Sequence, residues 1–259
     1  MMFFFKKKKF TLTCLTYDPM IVATAPILPA LKFYPDWLKK MPSQRIEEKR
    51  NPGTGAVHNI PSGTLKGCPG VIDYFKTGFM APLWTDASCI VEPDGKYSFI
   101  SADNPFALES HWPGQWDGFR GYQHVKIILP WYLEEKTGLK FLLQKPYWTT
   151  NDDPLWINKL APAGGVIDFN SQHCLHLHTF MELPQVRQEF IMKLGTPLIH
   201  LIPLTDSEVE LKIDVIDEQT WIKKTQTSTG AKSFLKPSKT RDLFIKTLET
   251  DACPFRSVK

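Results

Sequence analysis

No apolar run in these 259 residues reaches the roughly 18 needed to cross a bilayer as a helix. The three phenylalanines Phe3 to Phe5 stop at four lysines, Lys6 to Lys9. The next stretch, Thr11-Leu12-Thr13-Cys14-Leu15-Thr16-Tyr17, is interrupted by polar residues before Asp18 and Pro19. That is the pattern of a strand and not the continuous apolar core of a secretion signal, so the chain is expected not to be exported. The lysine run could touch phosphate or acidic lipid, but such a run is in general a solvated terminus.

Cysteine pairing is missing as well. The five cysteines, Cys14, Cys68, Cys89, Cys174 and Cys253, are odd in number and scattered, and no two have CxxC spacing. A disulfide framework is not expected from that pattern, and a reducing compartment is. Nor is there a large excess of charge: the net charge is +4, and much of it sits in Lys6 to Lys9. A nearly neutral body gives no electrostatic footprint for nucleic acid. No internal repeat occurs, and no histidine is followed two residues on by a carboxylate, which argues against the His-x-Asp/Glu start of a facial-triad iron site.

Aromatics and proline are plentiful. Eight Trp and 17 Phe suit pleated, half-buried surfaces, and 21 prolines, each without a backbone donor, oppose long helices. The local patterns agree. Alternation predicts strands at 10–17, 79–84, 88–92, 96–100, 125–129, 139–143, 165–169, 174–180, 189–192, 197–204 and 208–215. Pro93-Asp94-Gly95 predicts a tight hairpin turn between the third and fourth of these. Pro69 to Lys76 reads as a helix, with Pro69 in its first turn and Gly78 just past its end. A short helix is expected at 37–41, capped by Asp36 and ended by Pro42. Residues 43–63 read as a long loop, and 103–122, with Trp112, Trp116, Phe119 and Tyr122, as an aromatic-rich one that could stack on a base or sugar but more readily packs on itself.

The expected fold is therefore mostly β: an antiparallel β-clip, sandwich or jelly-roll-like core with a few short helices and a small helical C-terminal tail. The expected division is an N-terminal strand with an extended Pro-rich arm over 1–63, a β-rich core domain over 64–216, and a helical tail over 217–259 that ends in a helix at 242–248.

Three groups of residues could carry chemistry. The densest is His173-Cys174-Leu175-His176-Leu177-His178. On a strand, Cys174, His176 and His178 share one face, and two imidazoles two residues apart can converge on one ion. With Glu182 the run spells His-x-His-x3-Glu, which resembles the first half of the cupin metal motif. That resemblance implies Fe, Mn or Zn held by His176, His178 and Glu182, with His200 as a late ligand. The competing reading is an exposed strand face of hydrogen-bonded histidines.

The second group is Gly164-Gly165-Val166-Ile167-Asp168, followed by Gly195-Thr196-Pro197-Leu198-Ile199-His200. It resembles the dUTP pyrophosphatase and dCTP deaminase superfamily, in which a Gly-Val-Ile-Asp strand end presents a water-orienting carboxylate. By that resemblance Asp168 is the catalytic candidate. Asp86, in Gly78 to Asp86, and Gln144, where the superfamily has its phosphate segment, then complete a ligand site. If instead Asp168 is structural, its oxygens should accept from backbone amides of the following turn.

The third resemblance runs from about residue 30 to 205. Phe33-Tyr34-Pro35-Asp36-Trp37-Leu38-Lys39-Lys40-Met41-Pro42, Thr64-Leu65-Lys66-Gly67-Cys68-Pro69 and residues 78–86 resemble an uncharacterised family of tailed phages and some bacteria. It implies a phage origin and a location in the host cytoplasm or the phage particle, without a mechanism. The expected function is a non-catalytic binding module for a small polar ligand. The alternatives are a structural component of a phage particle that contacts other phage proteins, with homo-oligomers conceivable, or a cupin-like metal enzyme or divergent nucleotide hydrolase.

Overall fold

The computed structural model describes residues 9–101, 108–109, 121–149 and 160–228. The first strand, β1 (Phe10–Thr16), is followed by α1 (Pro19–Thr24). Asp18 caps that helix by accepting a 2.8 Å bond from the Met20 amide, with Pro19 in the first turn. A two-residue strand β2 (Leu28–Pro29) and a 3-10 turn lead to α2 (Asp36–Lys40). Asp36 lies inside its first turn and Pro35 occupies the cap position, one residue earlier than the spacing predicts. Next come β3 (Gln44–Arg50), β4 (Val57–Gly63), α3 (Pro69–Lys76), β5 (Phe79–Pro82), β6 (Ala87–Val91) and β7 (Tyr97–Ser101). The series continues with β8 (Leu108–Glu109), β9 (Tyr122–Glu134), β10 (Lys140–Gln144), β11 (Leu160–Pro162), β12 (Gly165–Asp168), β13 (Cys174–Glu182), β14 (Gln188–Met192), β15 (Pro197–Pro203), β16 (Val209–Val215) and α4 (Glu218–Ser228).

These strands form one six-stranded sheet, β11-β13-β9-β1-β16 with β8 also on β9, and one five-stranded sheet, β12-β10-β15-β5-β2. A three-stranded sheet, β14-β6-β7, and the β3–β4 hairpin complete the set. Among the described residues every ladder is antiparallel except β1 with β16, where Phe10 to Thr16 run parallel to Val209 to Val215. The fold is thus mostly β and antiparallel, as the alternation predicts.

The inner faces of the three larger sheets share one core. Leu12 of β1, Trp131 of β9, Phe141 of β10, Leu177 of β13 and Ile199 of β15 are all buried in it, with Ile21 of α1 and Met192 of β14. Burying each large aliphatic or aromatic side chain contributes about 1.5–3 kcal/mol. A second cluster, Ala30, Leu38, Val71, Phe75 and Met80, fixes α2 and α3 against the outer side of β5. Helix α4 meets the opposite end of the six-stranded sheet: Trp221 lies 5.3 Å from Tyr17, and Lys224 bonds Glu134 at 2.7 Å.

Two features differ from the sequence reading. The boundary at residue 63 does not separate the first strand from the core, because β1 lies between β9 and β16 and β2 joins β5. Nothing local signals the placement of β1, because its partners lie more than a hundred residues away in the chain. Residues 43–63 are not a loop but the hairpin β3–β4, with Gln44 paired to Gly63 and Arg50 to Val57. Its charges and its exposure on both faces removed the alternation that would have revealed it. The helix expected at 242–248 and the aromatics Trp112, Trp116 and Phe119 lie outside the described residues.

Two single residues test this architecture. Gly78 follows α3 with φ +75°, and a Cβ there would sit 2.1 Å from the Leu201 carbonyl oxygen. Gly78→Ala should destabilise the protein by roughly 2–4 kcal/mol in a urea titration, because both the left-handed backbone and the close approach oppose a side chain. His200, fully buried on β15, donates from Nε2 to the Thr77 carbonyl at 2.6 Å, and its Nδ1 has no partner. Burial holds its pKa below the ordinary histidine value, against the opposing pull of the Thr77 bond. The unfolded chain therefore takes up this proton at higher pH than the fold does. Its effect on stability is absent above about pH 6.5 and grows as a loss while pH falls below it. In His200→Gln, which keeps a donor toward Thr77, thermal melts should lose part of that acid-side decline.

Candidate functional site

The histidine run enters β13 as alternation requires. Leu175, Leu177, Thr179 and Met181 point into the core, while Cys174, His176, His178, Phe180 and Glu182 lie on the other face. On the neighbouring strand β9, Val125, Ile127 and Leu129 are the core residues. His124, Lys126 and Ile128 therefore share the face of the imidazoles, with Lys126 directly opposite His178 and His124 opposite Phe180. His124 Nε2 lies 3.1 Å from His178 Nδ1, so one ring donates its N–H to the lone pair of the other. The His124 ring is buried and packs edge-on to Phe180 at 5.4 Å, whereas His178 is exposed. His173 serves the strand itself: it bonds the Leu133 carbonyl at 3.0 Å and stacks on Tyr132 at 4.7 Å.

The Gly164-Gly165 segment lies beside this face. Here the chain leaves the six-stranded sheet at β11 and enters the five-stranded one at β12. The crossing is tied down where the Ala163 amide donates to the His178 carbonyl at 2.7 Å. A Cβ on Gly164 would lie 3.4 Å from the Leu143 carbonyl oxygen, so the backbones run close. Between the two sheet edges is an open cleft of about 490 Å³. Its polar groups are His124, His176, His178 and Gln172, and its apolar walls are Leu143, Val166, Ile167 and Phe180. Among the described residues no carboxylate lines it.

The candidate metal ligands are not drawn together. His176 and His178 share the cleft, but Glu182 is four residues beyond His178 on the same extended strand, about 13 Å away. His200 belongs to the other sheet and is committed to Thr77. Among the described residues no group of three or more His, Cys, Asp and Glu side chains is placed to hold a metal ion. The buried thiols of Cys14 and Cys89 are also unsuited to chemistry, since burial pushes both up, Cys89 to about 12.

The carboxylate site of Asp168, Asp86 and Gln144 does not assemble either. Asp168 ends β12 and accepts from the Asn170 amide at 2.9 Å, while its carbonyl accepts from the Ser171 and Gln172 amides. This is the local capping expected of a structural aspartate. It pairs with Lys140 at one end of β10, whereas Gln144 at the other end faces His200, about 13 Å along the strand. Asp86 is exposed, and its carboxylate accepts from the Leu194 amide at 2.6 Å, tying the β5–β6 connection to the β14–β15 turn. Gly164 and Gly165, at the start of β12, line the cleft. His124 and Gln172 were missed. His124 shares parity with Lys126 in a strand whose expected start, residue 125, fell three residues after the observed one, Tyr122, so an earlier start would have placed it on the imidazole face.

Asp168→Asn should lower stability by about 0.5–1 kcal/mol in urea unfolding, since a charge-assisted cap weakens. The ring resonances of His176 and His178 should stay where they are in the same variant. A displacement of those resonances would join Asp168 to the cleft after all. No protein-family model, curated protein or solved structure matches the chain.

Proposed function

We propose that the chain is a non-catalytic binding module whose site is the cleft between the β11–β12 crossing and the imidazole face of β13. One observation carries this reading. The cleft joins apolar walls to three imidazoles and an amide, with a glycine backbone that admits close approach. Its size is within the range of small-ligand pockets, about 300–1,000 Å³. Imidazole and amide N–H groups without a neighbouring carboxylate favour a ligand that presents oxygen acceptors. Phe180, Leu143 and Ile167 favour an apolar or planar part beside them. A small polar ligand carrying a carboxylate or phosphate group and a ring fits both demands.

A second reading, a component of a phage particle, draws on the resemblance of residues 30–205 to a tailed-phage family and on the exposed β3–β4 hairpin. The two are compatible, because a particle protein can carry a ligand site.

The test of the cleft is an NMR titration of the histidine ring and glycine amide signals with inorganic phosphate, benzoate and a nucleoside monophosphate. Shifts at His176, His178, Gly164 and Gly165 are expected for at least one probe. The double change His176→Ala with His178→Ala should weaken that binding about tenfold or more, the loss of one to two hydrogen bonds to a charged group. Shifts scattered over the surface, or binding untouched by the double change, would remove the cleft as the site.

A further inference from the structure

The β3–β4 hairpin stands apart from the core. Every residue of β3 is exposed, Ile46 at 74%, and of β4 only Ser62 is partly covered. A lone two-stranded hairpin is marginally stable in water, and a third or fourth strand relieves that.

Among the described residues no further strand flanks this hairpin, and the hydrogen-bond pattern shows which edge keeps its groups. Thr64 donates to the Ser43 carbonyl at 3.1 Å, and Asn51 to the Ala56 carbonyl at 2.8 Å. Both pairs continue the β3–β4 register at the odd-numbered positions that flank β3, Ser43 and Asn51. Along an antiparallel ladder bonded and non-bonded pairs alternate, so Gln44, Ile46, Glu48 and Arg50 turn their N–H and C=O groups away from β4. On β4 the outward positions are Val57, Asn59 and Pro61. Pro61 has no N–H, which blocks that edge at its middle. The β3 edge keeps all its donors.

We infer that the free edge of β3 pairs with the β3 edge of a second copy of this chain, antiparallel and two-fold symmetric about Ile46. The charges select this partner and this register. Centred on Ile46, the pairing sets Ile46 against Ile46 and Arg45 against Glu47 on both sides of the axis. Gln44 then faces Glu48, and Ile46 and Pro61 of each copy form one apolar row across four strands. The Arg45–Glu47 pairs occupy non-hydrogen-bonded sites, where opposed side chains come closest. Moving the axis to Arg45, Glu47, Glu48 or Lys49 would place like charges face to face, which is destabilising. An axis between two residues would oppose an outward group to an inward one and make no ladder. The same charges thus deter indiscriminate pairing of an open edge and favour one self-complementary match.

Sedimentation velocity over a concentration series tests the pairing. The unaltered chain should self-associate. Arg45→Glu, which sets two glutamates against each other on both sides of the axis, should weaken association about tenfold or more. Adding Glu47→Arg to that variant reverses both members of each pair and should restore association to within about threefold of the starting value. Restoration also shows that the altered hairpin still folds. A chain that stays monomeric at every concentration overturns the inference, as does an Arg45→Glu variant that associates unchanged or a double variant that fails to recover. None of these substitutions touches the cleft, so the ligand titration is read separately.

Discussion

Strand β9 alternates apolar and polar-facing positions for most of its 13 residues, and that alternation commits two surfaces at once. Val125, Ile127, Leu129, Trp131 and Leu133 close the shared core from one side. His124, Lys126 and Tyr132, on the other, meet the outward residues of β13. Slipping the β9–β13 register by one residue would bury histidines in the core and expose leucines, a cost of several kcal/mol. The imidazole face therefore exists because the core holds the register. The bulge between Cys174 and His176 adjusts where that face begins.

Polar side chains of catalytic type are mostly spent on holding the backbone. Glu135, 1% exposed, accepts from the Thr137 amide and hydroxyl and from the Leu139 amide, which closes the turn from β9 into β10. Asp18, Asp168 and Asp217 each satisfy amides of the segment that follows them. His200 anchors the end of α3 through Thr77. In each case a buried or terminal backbone group needs a partner, and a nearby carboxylate or imidazole meets that need. This is why lists of titratable residues misjudged the site: residue type reports the capacity for chemistry, while the hydrogen-bond partners report how that capacity is used.

Most of the strands were legible because burial on one face forces a period of two. The β6–β7 hairpin and α3 were legible because Pro93-Asp94-Gly95, Pro69 and Gly78 act on the backbone locally. What stayed hidden was non-local. The parallel pairing of Phe10 to Thr16 with Val209 to Val215 depends on the whole intervening chain. The hairpin at 44–63 was hidden for the opposite reason, since neither of its faces is buried and no period is imposed. At the candidate site, the sequence placed His176 and His178 on one face correctly. It could not show that Glu182 and His200 lie away from them, or that His124 completes the group, because only the packing of β9 and the path of the sheets decide those distances.

The cleft follows from one topological fact. The chain passes from the edge of one sheet to the edge of another at Ala163-Gly164, and two sheets joined at their edges diverge as each twists. Val166, 60% exposed, leaves β12 with a bare outer side, and the imidazole face of β13 forms the facing wall. A Cβ at Gly164 would make an ordinary contact, 3.4 Å, with the Leu143 carbonyl oxygen, so the crossing lies against the end of β10. The crossing, tied by the Ala163 amide to the His178 carbonyl, brings His176 and His178 into one space with Leu143 and Ile167. The imidazoles stand on a strand whose core-facing neighbours Leu175, Leu177 and Thr179 are buried, so the packing that holds the register also fixes where the rings begin.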